Sequence, residues 1–406
     1  MRQPMNGVRV VEVAMYGFVT SAGAVLADWG ADVLKVEHAT TGDPQRGLKR
    51  TGSFVVEGDL NPNIEHPNRG KRSIGLDIGT PQGRAVLYDL AKQADVFLTS
   101  LLPPARAKFE IDVEHIRAVN PNIIYARGSA LGARGEEASR GGYDMTAFWC
   151  RAGTAASITP PDLDGMIPPP APAYGDTISG TNLAGGIAAA LFARERTGEA
   201  SVVDVSLLGS GLWSMGMGIA SSLLAQRAWV APKTGAAGSN NPLTCLYKTA
   251  DDRYISLVML QAARYWADVC RHVDRPELAD DPRFATQEDI DANAAVATEE
   301  LRQAIGAQPL SFWTARFATL SGPWAPVQDT LQIAQDAQIR GNDYIATVTD
   351  VDGNEYNLVV NPVQFDGHAA QLTRAPLFAE HTDAVLEDLG YDWDRVVALK
   401  VEGVVT

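Results

Sequence analysis

An apolar run, an amphipathic stretch and a second apolar run follow one another at the start of this sequence. Val8 to Val13 reads as a buried strand, Phe18, Ala22, Val25, Leu26 and Trp29 share one helical face, and Val33 to Val36 returns as a strand. Two strands joined by a crossover helix run in the same direction and belong to one sheet. The cycle repeats: a strand at Ile74 to Asp77, a helix opening near Pro81 with Val86, Leu87 and Leu90 inward, a strand at Asp95 to Leu98, and another at Ile123 to Ala126. The expected class is α/β, a Rossmann-like parallel sheet covered by helices.

Beyond Arg227 the texture changes to a loop rich in Gly, Ala, Ser and Asn, then to a strand pair around Asp251-Asp252 and a helix from Ala262 through Val273. The expected organisation is a large domain over 1–205, a linker helix over 206–228 and a smaller α+β domain over 229–325. A return segment over 326–406 then completes the large domain with a hairpin at Asp352-Gly353 and a helix at Ala384 to Leu389. Between Asp204 and Arg227 there is no charge, a length that could cross a bilayer. Ser206, Gly209, Ser210, Gly211, Ser214, Gly216, Gly218, Ser221 and Ser222 dilute it, so a buried helix is expected rather than a span.

With 46% hydrophobic and 20% charged residues among 406, the chain has material for a globular core in two domains. Its net charge of -15 repels a phosphate backbone, which argues against nucleic acid as a partner. Cys150, Cys245 and Cys270 are far apart, and the histidines show no metal-ligand spacing, so neither a disulfide framework nor a metal is expected. Met1 to Gly7 holds no apolar signal core, and the expectation is a cytoplasmic protein with no membrane role. Gly17 and Gly23 after the first strand lack the spacing of a dinucleotide turn, and no phosphate-binding Gly-x-x-x-x-Gly-Lys loop occurs, which disfavours NAD and ATP chemistry.

Tyr174-Gly175-Asp176-Thr177-Ile178-Ser179-Gly180 places one carboxylate where a helix begins: Leu183, Ile187 and Leu191 continue the periodicity, and Gly198 stops it. Asp176 is the candidate nucleophile. An aspartate at this position also reads as a helix cap, its oxygen accepting a first-turn N–H.

The sequence resembles the family III CoA-transferases, the group that includes formyl-CoA transferase, carnitine CoA-transferase and the α-methylacyl-CoA racemase branch. The likeness is carried by Gly7-Val8-Arg9-Val10-Val11-Glu12, Gly30 to Glu37, Gly42-Asp43, Lys71 to Asp77, Arg194 to Gly198, Val203 to Leu207, Ala279 to Phe284 and Glu380-His381-Thr382. It spans nearly the whole chain. The resemblance implies that Asp176, in Gly175-Asp176, carries the acyl group and then CoA itself, as a mixed anhydride and an aspartyl-CoA thioester. It implies coenzyme A as the cofactor-like substrate and an interlocked homodimer.

With an unperturbed pKa near ~3.9, such an aspartate is anionic at neutral pH and needs no general base. The oxyanion it creates needs N–H donors. Gly235 to Asn240, with Gly235 and Gly238, reads either as a flap supplying them or as a linker. For CoA, the resemblance and the local basic cluster point to Lys71 and Arg72, with Arg46, Lys108 and the Met15-Tyr16-Gly17-Phe18 turn; the alternative is that the basic residues belong to a solvated loop. Leu48 stands where the formyl-CoA branch has tryptophan, and Met15 to Phe18 where it has His-Val-Gln-Ala, so a larger or more apolar acyl group is expected. Tyr143 stands where the racemase branch has a histidine base, and a phenol near ~10 is a poor base at neutral pH. Asp144 is structural or pocket-lining. The expected function is CoA transfer between an acyl-CoA and a carboxylic acid. The alternatives are an acyl-CoA racemase or isomerase, and a noncatalytic CoA-binding protein.

Overall fold

The computed structural model describes residues 3–51, 54–233 and 240–406. Six strands form one sheet: β1 (Arg9–Val13), β2 (Asp32–Glu37), β3 (Arg72–Gly75), β4 (Val96–Thr99), β5 (Ile124–Ser129) and β6 (Val202–Ser206). They lie in the order β3-β2-β1-β4-β5-β6, every neighbouring pair parallel. The chain therefore winds outward in both directions from β1, which opens a crevice at the carboxyl ends of β1 and β4.

Both faces of this sheet are buried, so successive residues alternate between two cores rather than between core and water. Val10, Val33, Val96, Leu98, Ile124 and Ala126 share one core with Phe18, Val25, Leu183 and Ile187. Val11, Leu34, Val36, Phe97 and Tyr125 enter the other with Val86, Leu87, Leu90, Val385 and Leu399. The edge strand β6 carries Asp204 and leaves Val202 37% exposed, so no continuous apolar run marks it in the sequence.

Two helices on the first face set the site. The helix Phe18–Asp28 is buried along almost its whole length and packs against the helix Tyr174–Thr197. Gly180 permits the close approach: a Cβ there would stand 2.6 Å from the Ser21 Cβ and 2.9 Å from the Phe18 carbonyl oxygen.

The chain terminus closes the second face. A helix at Thr382–Asp388 is followed by another at Trp393–Val401, which the sequence reading did not anticipate. Asp392 caps that last helix through the Arg395 N–H, and Val405 then bridges antiparallel to Leu76.

A second compact unit comprises Val230–Ala337 with Pro160–Asp164. Its antiparallel sheet pairs Leu246–Lys248, Tyr254–Leu257 and Trp324–Pro326, and Trp266, Trp313 and Phe317 anchor its own core. Trp324–Pro326 pairs with Tyr254–Leu257, so this unit runs past the expected boundary at 325.

The segment expected as one buried linker helix is two, Leu207–Ser214 and Gly216–Ala225, bent by 70°. No residue of the second is buried, and Met217 and Leu224 are 89% and 88% exposed. The expected burial is corrected for this second helix, none of whose residues is buried. No single helix among the described residues is long and apolar enough to cross a membrane.

Candidate active site

Asp176 is the third residue of the helix Tyr174–Thr197, inside its first turn. It is not the cap. The N-cap position falls on Ala173, held in the left-handed region at φ 57°, and the N–H of Gly175 donates to Asp144 Oδ2 at 3.1 Å. The capping alternative for Asp176 is thereby corrected, and Asp144 receives a structural role at the helix start.

Gly17 ends the turn after β1 and precedes the helix Phe18–Asp28. A Cβ on Gly17 would lie 2.5 Å from Asp176 Oδ2, closer than a real Cβ tolerates, so only glycine leaves the carboxylate its place. Asp176 thus faces the amino end of one helix while it sits in the first turn of another.

The turn that carries Gly17 is fastened from beneath. Lys35 Nζ donates to the Ala14 carbonyl at 3.0 Å and pairs with Asp43 Oδ2 at 2.9 Å; Met15 N–H donates to Ser100 Oγ at 3.1 Å; Thr20 Oγ1 and Ser21 Oγ donate to the Gly17 carbonyl. Tyr16 itself sits at φ 64°, a conformation a side chain adopts at a cost of order ~1–3 kcal/mol and which its surroundings must hold. Burial works against the Lys35 ammonium, but the carboxylates of Asp43, Glu12 and Glu37 outweigh it and push its pKa above the ordinary value.

A cavity of about 680 Å³ opens at the carboxyl ends of β1, β4 and β5. Its lining includes Met15, Tyr16 and Phe18 after β1, Ser100 to Leu102 after β4, Gly128 to Leu131 around the end of β5, and Tyr143, Arg140, Arg151 and Asp176. The Tyr16 and Tyr143 rings meet edge to face at 5.5 Å. Their hydrogen bond, with burial second, raises the Tyr16 phenol. Burial, and then the negative charge of Asp144, push the Asp176 carboxyl up to about 7. The expectation of a fully anionic aspartate at neutral pH is corrected: the same desolvation that sharpens the nucleophile holds much of it protonated near pH 7.

The structure gathers Asp176, Tyr143, Met15, Tyr16, Phe18 and Gly17 at one place, and it separates the expected phosphate cluster from them. Lys71 has no solvent access; its ammonium donates to both Glu12 oxygens at 2.9 and 2.8 Å, to the Thr20 carbonyl and to Asn68. A side chain so enclosed cannot meet a phosphate, and that expectation is corrected. Burial first, partly offset by Glu12, lowers Lys71 to about 8. Arg72 binds Asp32 and Asp388 at the amino end of the sheet, opposite the cavity. Arg46 forms two hydrogen bonds to Glu37, at 2.7 and 2.6 Å. Each charge is met by a carboxylate.

Lys108 is exposed over the Phe109 ring, on the helix Pro103–Lys108 that contributes Ala105 to the cavity. Leu48 follows the turn Pro44–Gly47 and gives its carbonyl to Asn63 Nδ2, outside the cavity lining. Gly235 and Gly238 lie outside the described residues. The sequence reading missed Arg140, Arg151 and the residues after β4 and β5. A signal was present, since Ser100 to Leu102 directly follow a recognised strand and ligands gather at the carboxyl ends of such sheets.

The family model described as CoA-transferase family III matches residues 5–382. Over 403 residues the chain is 28% identical to (R)-2-hydroxy-4-methylpentanoate CoA-transferase of Clostridioides difficile, covering 99% of both. It is also 28% identical to cinnamoyl-CoA:phenyllactate CoA-transferase of Clostridium sporogenes, over 97% of this chain and 95% of the other. The crystal structure of a CAIB/BAIF family protein from Brucella suis superposes with TM-score 0.80 at 26% identity, covering 96% of this chain and 100% of that one. With a matched span of almost the full length and relatives aligned end to end, this chain belongs to the family III CoA-transferases.

Proposed function

We propose that this CoA-transferase works through covalent catalysis on Asp176. The observation that carries the reading is the Asp176 carboxyl itself: desolvated, placed in the wall of a cavity of about 680 Å³ at the carboxyl end of the sheet, and beside Gly17, where a second helix opens. The ionised carboxylate attacks the thioester carbonyl, the C–S bond breaks, and CoA leaves as thiolate with a mixed anhydride on Asp176. The thiolate attacks the aspartyl carbonyl and the original acid departs as carboxylate, which leaves an aspartyl-CoA thioester. An incoming carboxylate reverses both steps. No proton or nucleotide is consumed, and the thioester bond is conserved.

Helix N–H groups near Gly17 support the tetrahedral oxyanions; one such donor is worth about 3 kcal/mol of barrier. The cavity of about 680 Å³ suits the CoA arm, with Arg140, Arg151 and exposed Lys108 in place to meet phosphates; Arg151 and Arg140 are shared with Glu137, which they hold down to about 2. Met15, Tyr16 and Phe18 line the same space, in support of their expected contact with CoA. The apolar lining around Tyr143 supports an acyl group larger than formyl or oxalyl, and the two relatives are named for branched and aryl acids. The uncovered helix Gly216–Ala225 supports a homodimer in which a second copy of the chain covers Met217, Leu223 and Leu224.

The test is isotope exchange between an acyl-CoA and its free acid. Wild type catalyses it and Asp176→Ala does not, with the fold checked by circular dichroism. Exchange that survives in Asp176→Ala contradicts the mechanism. Loss of an α-deuterium from the acyl-CoA without exchange establishes the racemase alternative instead.

A further inference from the structure

The residue before the nucleophile is a glycine for a steric reason. A Cβ on Gly175 would lie 2.5 Å from Phe148 Cγ and 2.7 Å from Phe148 Cβ, so the aromatic side chain fills the place that a side chain at 175 would take. Phe148 is gripped from its backbone side too: a Cβ on Gly211 would stand 2.6 Å from the Phe148 carbonyl oxygen. Gly175 belongs to the helix Tyr174–Thr197 and Gly211 to the helix Leu207–Ser214, and glycine inside a helix is unfavourable unless close packing requires it. Phe148 is buried, wedged between these two helices.

Phe148 lies in the stretch Met145–Arg151, a short π-helix, a rare geometry that gathers at functional sites. This one stretch holds the residues that lead into the nucleophile. Asp144, just before it, accepts the Gly175 N–H at Oδ2. The Phe148 and Trp149 rings meet the Tyr174 ring edge to face at 6.3 and 6.0 Å, and Trp149 is itself fixed by its Nε1–H donating to the Ile167 carbonyl at 2.8 Å. Thr146 and Arg151 of the same stretch stand in the cavity wall that Asp176 shares.

Among the described residues, no hydrogen bond or ion pair holds the Asp176 carboxyl. Its direction therefore comes from the backbone that carries it and from the contact with Gly17. A reacting group displaced by about 1 Å loses on the order of 100-fold in rate, so whatever fixes the peptide at Gly175 matters to the chemistry.

We propose that Phe148 is a positioning residue for the nucleophile: its ring, pressed on Gly175, fixes the backbone from which the Asp176 carboxyl reaches the thioester. The proposal rests on the transfer reading above, because it needs Asp176 as the acylated residue.

The test uses the half-reaction alone. Straight-chain, branched and aryl acyl-CoAs are supplied to wild type, and acylation of Asp176 by the best of them is followed by rapid quench and mass spectrometry over a range of concentrations, which separates the maximal rate from the half-saturating concentration. Phe148→Ala is expected to lower the maximal rate by about 100-fold and to leave the half-saturating concentration within about threefold of wild type. Leu87→Ala, a buried truncation in the other core, is expected to lower Tm and keep the wild-type maximal rate. Gly175→Ala is expected to lose about 100-fold in the wild-type background and no more than about tenfold in Phe148→Ala, where the contacts with Cγ and the ring are gone. A wild-type maximal rate in folded Phe148→Ala, a matching loss in Leu87→Ala, or equal losses from Gly175→Ala in both backgrounds overturns the proposal and leaves the transfer reading standing. Where Phe148→Ala does not fold, Gly175→Ala alone decides, and a wild-type maximal rate there overturns the proposal. Absence of acylation by every thioester overturns the transfer reading and this proposal with it.

Discussion

At the scale of single residues, the site turns on how two carboxyls and one glycine share a small space. Folding raises the Asp176 pKa from 3.8 to about 7, so the folded protein holds a proton that the unfolded chain releases. Stability from this group is present below pH 4 and is lost as pH rises toward 7; at about 1.4 kcal/mol per pH unit the loss is at most about 4 kcal/mol. Asp176→Asn is therefore expected to be more stable than wild type at pH 8 and no more stable at pH 4, a difference that denaturant melts at the two pH values detect. The nucleophile must be ionised, so kcat/KM for the free enzyme should rise with pH through about 7. Asp144→Asn removes the neighbouring charge and should move that midpoint downward. A profile flat from pH 5 to 9 contradicts this assignment. At Gly17, an added methyl would stand 2.5 Å from Asp176 Oδ2, so Gly17→Ala is expected to displace the carboxylate and lower kcat by about 100-fold with little change in Tm.

At the scale of elements, the buried charges act as fasteners. Glu12, Lys35, Asp43 and Lys71 have almost no solvent access and tie β1 and β2 to the Gly17 turn. Removing one partner leaves the others uncompensated, so Lys71→Met should cost about 3–5 kcal/mol in a chemical melt without weakening CoA binding at a temperature where the variant is folded. Weaker CoA affinity in that folded variant would show Lys71 at the phosphate after all.

The strands β1, β2, β4 and β5 were legible because both faces are buried and apolar residues dominate them, even where the buried Glu12 and Lys35 interrupt β1 and β2. The edge strand β6 and the last helix were not, because one is interrupted by Asp204 and the other exposes Val397 and Val401 beside its buried Val396 and Leu399. The place of Asp176 at a helix start was legible from the glycine before it and the periodicity after it, whereas its proposed role as carrier came from the family resemblance. The fate of Lys71 was not: a basic cluster in sequence looks the same whether it meets a ligand or Glu12, and only the fold brings Glu12 to it.

At the scale of the whole molecule, one chain leaves an apolar helix uncovered while it encloses a cavity of about 680 Å³ elsewhere. The proposed dimer would cover that helix, and Leu224→Glu is then expected to give a monomer by light scattering, whereas a dimer mass unchanged by the substitution would place that helix outside the interface. The central claim is that Asp176 is the covalent carrier. Incubation of the protein with an acyl-CoA and hydroxylamine, followed by peptide mass spectrometry, tests it most directly. The account predicts a hydroxamate on Asp176 that forms only when the thioester is present, whereas an unmodified Asp176 after turnover, or a hydroxamate on another carboxyl, would contradict it.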